Sequence, residues 1–395
     1  DTAAGAKIRA FFNTSRELTS NALTMTDEIK RMISLLDIPA SVGSRRLLGG
    51  SALPQRGLIP EWVSDAQRNI LEKPIAELKV DAVVALDGTG QFRRISEALA
   101  TVPKHNSKPF IVYIKAGIYN EHVTIPKKMT NVVLIGDGAT KTIVTGKKNF
   151  VDGTPTYKTA TIASVGEGFM ARDIGVENTA GAEKRQAVAI RVAGDYSVLY
   201  RCQFNGFQDT LYAVRGRQFY RDCVITGTID FIFGDAQAVF QNCDIQIRKP
   251  LENQKCAVTA QGRSEPNGPG AIILQNCSIS SQPDYLLVKD ENPAFLGRPW
   301  KPYSRTIVMQ SYIDGCISPA GWSPWAGTFG LDTLFYAEYG NRGAGAEQAG
   351  RVTWLGIKKL SPEQVTEFTP DVFFMGNKWV VPTGVPYTPG LMNVQ

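Results

Sequence analysis

Leu199-Tyr-Arg-Cys202-Gln-Phe204, Tyr220-Arg-Asp-Cys223-Val-Ile225 and Phe240-Gln-Asn-Cys243-Asp-Ile245 are near-copies of one phrase, with cysteines 21 and then 20 residues apart. Leu274-Gln-Asn-Cys277-Ser-Ile279 and Val308-Met-Gln-Ser311-Tyr-Ile313 repeat it at two further intervals of 34 residues, the last with serine for cysteine. Short apolar alternation at a period near 20, with little helical periodicity, is the pattern of a β-solenoid in which each repeat is one coil. The longer intervals read as loops pushed out from one side of a coil. Seven residues after Cys202 stands Asp209, and seven after Cys223 stands Asp230. Parallel coils stack about 4.8 Å apart, so cysteines in register imply aspartates in register. Two carboxylates that close resist joint ionisation, which leaves one acid beside one base, a catalytic arrangement.

A chain of 395 residues suits one large domain and a small appendage. With 43% hydrophobic and 20% charged residues the composition is that of an ordinary globular chain, and no apolar run reaches the length of a membrane span. The net charge of +6 fits an acidic polymer as partner. Nucleic acid is the rival for that charge, but no dense Lys/Arg cluster or recognition motif accompanies it, so none is expected. The six cysteines contain no C-x-x-C pair, which argues against zinc. Cys223 and Cys243 lie one coil apart, at a spacing that suits either a disulfide or two stacked buried thiols. The two histidines, His105 and His122, sit near no Gly-x-Ser-x-Gly elbow and read as surface residues.

Residues 1–37 carry apolar positions at helical spacing, ending before Pro39, and need a partner to bury that stripe. The opening Asp1-Thr-Ala-Ala-Gly reads as interior sequence, so processing or truncation before it is expected. A Gly/Ser/Pro-rich linker follows, with a dibasic Ser44-Arg-Arg-Leu-Leu48 open to proteolysis. Asn13-Thr-Ser15 and, more weakly, Asn276-Cys-Ser278 are glycosylation sequons. From about Val80 the chain turns β-rich: a turn at Asp87-Gly-Thr-Gly90, a short helix over Arg94–Val102, and strands over Phe110–Ile114 and Asn131–Ile135. Ser361-Pro-Glu-Gln364 is a helix-start signature.

Five blocks in order resemble the plant pectin methylesterases (pectinesterases): Gly117-Ile-Tyr-Asn-Glu121, Arg185-Gln-Ala-Val-Ala189, Gly206-Phe-Gln-Asp-Thr-Leu-Tyr212, Asp230-Phe-Ile-Phe-Gly234 and Leu296-Gly-Arg-Pro-Trp300. The resemblance covers about Val80 to the C-terminus. It implies an all-β chain, a right-handed parallel β-helix, with a short α-helical N-terminal segment. Residues 1–42 resemble the end of the family's inhibitor-like pro-region, 43–73 a linker with its processing site, and 74–395 the catalytic β-helix. The implied activity is removal of methyl esters from homogalacturonan in the plant cell wall, by a secreted monomer that uses neither metal nor organic cofactor. Pectin is the implied partner, and a proteinaceous inhibitor of such enzymes a second one. Carried over by position, Asp230 is the nucleophile and Asp209 the acid, then base. Gln186 and Gln208 stabilise the tetrahedral intermediate, and Arg298 holds Asp230. Thr156, Tyr157, Tyr212, Phe233, Phe295, Trp300 and Trp325 fall where the family contacts pectin. An oxidising wall compartment favours the Cys223–Cys243 bridge over free thiols. Tyr157 stands where phenylalanine is more usual, a change that keeps the aromatic face.

Each residue also has a plainer reading. Gln and Asp in turns often only satisfy the backbone, Arg298 suits a structural ion pair, and Tyr212 and Phe233 suit a core. The joint pattern favours function over these. Within enzymes the rival is a β-helical polygalacturonase, since paired carboxylates also serve glycosidases. Outside enzymes it is a silent pectin-binding β-helix. Methanol release without new reducing ends separates all three.

Overall fold

Each cysteine phrase is one corner of a coil. The strand Arg217–Arg221 passes through Asp222 and Cys223 into the strand Val224–Gly227. The residue before the cysteine is left-handed in every copy: Arg201, Asp222, Asn242, Asn276 and Gln310 have φ between 50° and 56°. Asn and Asp tolerate that conformation best among residues with a side chain. Asn276 adds to it by donating its amide to Asn242 Oδ1 at 3.0 Å. The apolar positions of the phrase point inward and stack, Tyr220 on Phe240 with ring centroids 4.3 Å apart and Ile225 on Ile245 on Ile279.

The computed structural model describes residues 69–393. The helical stripe over 1–37, Ser44-Arg-Arg-Leu-Leu48 and the sequon at Asn13 lie outside them. Among the described residues the repeated corner builds a right-handed parallel β-helix of three sheets. Sheet A has eleven strands, from Ala82–Val84 to Ile357–Lys358; sheet B has eight, from Gly117–Asn120 to Tyr312–Ile313; sheet C has seven, from Val123–Ile125 to Ala294–Gly297. The expected helix forms over Ile95–Leu99, with Glu121 accepting from the amides of Ile95 and Ser96. The long intervals of the repeat are excursions from the coils, 248–255 and 262–270 in one coil, 282–293 (which holds the short helix Pro283–Leu286) and 298–304 in the next. No helix among the described residues is long and apolar enough to cross a membrane.

The C-terminal region covers sheet A. Ser361 opens the helix Pro362–Thr366 with a capping box, and the helices Pro370–Phe374 and Gly376–Trp379 follow. Val365, Phe368, Phe374 and Trp379 pack on the outward residues Val198, Phe219, Val239 and Ile273. Beyond them the chain crosses three stacked glutamines. Gln241, Gln275 and Gln310 donate to the carbonyls of Thr388, Gly390 and Met392.

The cysteines correct one expectation. Cys202, Cys223, Cys243 and Cys277 form an inward column, and all are free, so the Cys223–Cys243 disulfide does not form. The register is right and the direction is wrong for a bond. In neighbouring parallel strands the Cα–Cβ vectors run parallel, which holds the sulfurs about one strand spacing apart, where a disulfide needs the two Cβ atoms to converge. Each thiol instead faces carbonyls, Cys223 Sγ lying 3.4 Å from Leu199 O and from Arg221 O, and Cys243 Sγ 3.6 Å from Tyr220 O. Burial pushes the Cys223 and Cys277 thiols well above their ordinary range, which keeps them protonated donors.

The loop 262–270 is tied down by two guanidiniums. Arg263 Nε donates to Tyr303 O at 2.6 Å, and Arg305 Nη2 to Pro269 O at 2.7 Å and Gly268 O at 3.1 Å. Gln261 joins both, its Oε1 accepting from the backbone amides of Arg263 and Arg305 and its Nε2 donating to Asp235 Oδ1 at 2.9 Å. Burial raises the Asp235 carboxyl to about 6, against the pull of Gln261 and the two arginines.

Two outcomes follow. A reductant should leave the thermal midpoint unchanged and alkylation should label Cys223 and Cys243 once the chain is unfolded; a drop of several degrees would reveal a bridge. Asp235 has a folded pKa above its unfolded one, so its contribution to stability is full below about 4 and is lost as pH rises through about 6. Asp235→Asn should therefore gain on the wild type between about pH 4 and 6 in denaturant titrations, with a constant difference above about 7. A variant that loses ground over that window would contradict the assignment.

Candidate active site

Two aspartates stand at the corner from sheet B to sheet C. The corner is tight and occurs twice, as Gly206-x-x-Asp209 and Gly227-x-x-Asp230. A Cβ on Gly227 would lie 2.2 Å from Phe231 Cβ, so only glycine lets the chain fold back there. Asp209 and Asp230 are themselves left-handed, at φ 65° and 53°, a strain of roughly 1–3 kcal/mol each for non-glycine residues, of the kind that clusters at functional sites. The strands that follow pair Leu211 with Ile232 and Tyr212 with Phe233, and Asp209 N donates to Ile229 O at 3.0 Å. Asp209 therefore lies one coil above Asp230 in register. Both are buried, at 8% and 5% exposure.

Arg298 arrives from two coils on. Its Nε and Nη2 donate to Asp230 Oδ1 and Oδ2, both at 2.7 Å, a bidentate pair. Its guanidinium lies 4.4 Å from the centroid of Trp325. Gln186 and Gln208 sit side by side through an isolated parallel bridge. That bridge is offset by 22 residues, whereas the strand that follows pairs Ile190 with Leu211 at 21. Thr210 O absorbs the extra residue by accepting from both Ala189 N and Ile190 N, at 2.9 and 3.2 Å. This one-residue bulge re-aims Gln186. Gln186 is buried, and its Oε1 has no hydrogen-bond partner.

The outer face of sheet C supplies the aromatic surface. Tyr212 stacks on Phe233 with centroids 4.2 Å apart, and Trp300 stands edge-on to both at 6.3 and 5.9 Å. Tyr157, in the turn Thr156–Lys158, joins the same cluster, as does Trp325. Thr156 is bound into that turn through its carbonyl, which accepts from Thr159 Oγ1. Phe295 pairs with Ala257 at the far end of the sheet, outside the aromatic cluster. Lys301 lies 5.4 Å from the Trp300 ring, and burial draws its amine below the usual range.

Two residues escaped the sequence reading. Arg191 places its guanidinium 5.8 Å from the rings of both Tyr157 and Tyr212. It is the register partner of Tyr212, so extending the 21-residue repeat one coil backward finds it. Gly262 is the second: a Cβ there would lie 2.7 Å from Trp300 Cε3, so the indole rests on bare backbone. Both histidines are on the surface, as expected.

With one buried carboxylate gripped by arginine, a second stacked on it, two amides beside them and an aromatic wall, the geometry suits acyl transfer from a ring-shaped, polar substrate. Known proteins share it. The pattern that defines the pectinesterase family matches residues 81–377. A pectinesterase of Petunia integrifolia is 50% identical over 386 residues, 97% of this chain and 99% of its own length. An Arabidopsis thaliana chain named for both a pectinesterase and a pectinesterase inhibitor is 50% identical over 390 residues, 99% of this chain but 52% of its own length. The chain thus spans about half of that relative. The solved structure of a pectin methylesterase from carrot superposes with a TM-score of 0.79 at 50% identity, covering 80% of this chain and 99% of that one. A family pattern matched over three quarters of the sequence and a relative half-identical along its whole length place this chain in the pectinesterase family.

Proposed function

We propose that the chain removes methyl esters from homogalacturonan, releasing methanol and a free carboxylate. The observation that carries this reading is Asp230, held by Arg298 through two bonds of 2.7 Å and stacked in register beneath Asp209. Arg298 grips Asp230 through both carboxylate oxygens and holds it in place as the nucleophile. Asp209, beside a charged neighbour, carries the proton.

The reaction then runs in two halves. An Asp230 oxygen attacks the ester carbonyl, and the carbonyl electrons move to oxygen. Amide donors of Gln186 and Gln208 stabilise that oxyanion, each worth about 3 kcal/mol by analogy with such donors elsewhere. The intermediate collapses, the bond to the methoxy oxygen breaks, and Asp209 gives that oxygen its proton, so methanol departs. Asp230 is left as a mixed anhydride. Asp209, now a carboxylate, takes a proton from water as the water attacks the acyl carbon, which frees Asp230 and restores the proton on Asp209. Tyr212, Phe233, Trp300, Trp325 and Tyr157 would offer ring faces to the sugars, with Thr156 and Phe295 at the margins.

The same reading covers the rest of the chain. Residues 74–395 are the catalytic unit, 43–73 a linker and 1–42 the end of an inhibitor-like pro-region, for which the double name of the Arabidopsis relative is support. A secreted monomer in the cell wall, acting on pectin and open to a proteinaceous inhibitor, fits an ester hydrolase of this family.

Asp230→Asn should lower methanol release from highly methyl-esterified pectin by about a thousandfold or more while pectin binding persists, since an amide is no nucleophile. Turnover near wild type would end the mechanism, and new reducing ends from the unaltered protein would point to glycosidic cleavage. Gln186→Ala should cost about 10²–10³ in kcat with little change in KM; a change in KM alone would make Gln186 a binding residue.

A further inference from the structure

Next to the aromatic face, the corner from sheet C to sheet A holds a cleft of about 580 Å³, within the size range of small-ligand sites. We propose that it is an outer subsite for a de-esterified galacturonate unit, selective for the free carboxylate over its methyl ester. The inference rests on the ester-hydrolase reading for the identity of the polymer.

Three features carry it. The first is continuity. Ala193 lines the cleft and also packs with Tyr157, Tyr212 and Phe233. It lies two residues along the chain from Arg191, about 7 Å at strand spacing, so a polymer on the aromatics runs into the cleft. The second is the floor. Val165 and Ala193 line it just past the ends of neighbouring strands, Ala193 N donating to Ser164 O. They give the cleft an apolar floor for the C–H face of a sugar. The third is charge. Lys127, Lys128 and Arg215 line the cleft and are exposed. Of the two acids there, Asp195 is occupied by Arg217, which donates to both of its carboxylate oxygens and through its backbone amide. Glu167 opposes the three cations, which leaves a positive surplus. His105 completes the rim. A methyl ester gains nothing from that surplus, whereas a free carboxylate does.

The test uses the full chain and a fully de-esterified oligogalacturonate as probe, titrated by calorimetry at low ionic strength. Lys127→Gln/Lys128→Gln should weaken Kd about fivefold to tenfold, and Lys127→Glu/Lys128→Glu by more. The KM for fully methyl-esterified homogalacturonan and the thermal midpoint should stay as in the wild type. Added salt should weaken the wild type more than the double Gln variant. Wild-type affinity in both variants, or an equal loss for esterified and de-esterified chains, would overturn the proposal. Methanol release by the unaltered protein is scored separately: its absence removes the ester reading, while the titration still decides whether the cleft holds a polyuronate.

Discussion

In-register parallel stacking is the constraint on which the rest depends. Once two coils are hydrogen-bonded in register, every residue at the repeat offset is forced over its equivalent at strand spacing. The sequence can only choose what occupies each column. Inside, the columns are filled by Tyr220 on Phe240 and by Ile225 on Ile245 on Ile279, pairs that bury apolar surface against each other. On the outside of sheet A, Gln241, Gln275 and Gln310 hold the C-terminal tail at three successive rungs. On the outside of sheet C, Tyr212 on Phe233 makes a wall, and at the corner Asp209 over Asp230 makes a pair that no independent loop would hold so close.

What the offsets reveal, the sequence showed well. Cysteines and aspartates with the same seven-residue separation report a shared register, and the coils follow. What the offsets conceal is direction. The disulfide expected between Cys223 and Cys243 fails because parallel neighbours project their side chains alongside each other, a fact of strand geometry that spacing cannot carry. The position of Gln186 depends on a bulge at Ala189 and Ile190, one residue out of step with the repeat, and bulges have no signature in a single sequence. Arg191 was legible from the same offset, as the register partner of Tyr212. The cleft of Lys127, Lys128 and Arg215 was not, because it is assembled from corners separated by tens of residues.

Arg298 reaches Asp230 from the end of the outward column of sheet C. In sheet C the outward column runs Arg191, Tyr212, Phe233, Ala260 and then Arg298, whose amide donates to Thr259 O. The guanidinium lies against Trp325, and Trp300 stands edge-on to Phe233. The ion pair and the aromatic wall thus share one end of one column.

That single arginine also breaks the symmetry of the repeat. Asp209 and Asp230 share a corner, a left-handed backbone and near-complete burial, and differ in that the Arg298 fork closes on Asp230. Two bare carboxylates with one guanidinium would leave a buried surplus of negative charge, which a dry site disfavours. In the proposed cycle Asp209 carries one proton, which would leave the group neutral throughout. When Asp230 attacks, its charge passes to the oxyanion; when methanol leaves with the proton, the charge passes to Asp209; when water enters, both return. At no step does the site hold an unmatched charge, so the reaction moves charge between neighbours on adjacent coils and never across the low-dielectric interior. On that proposal the exchange is carried by two copies of one corner, one of them gripped by arginine.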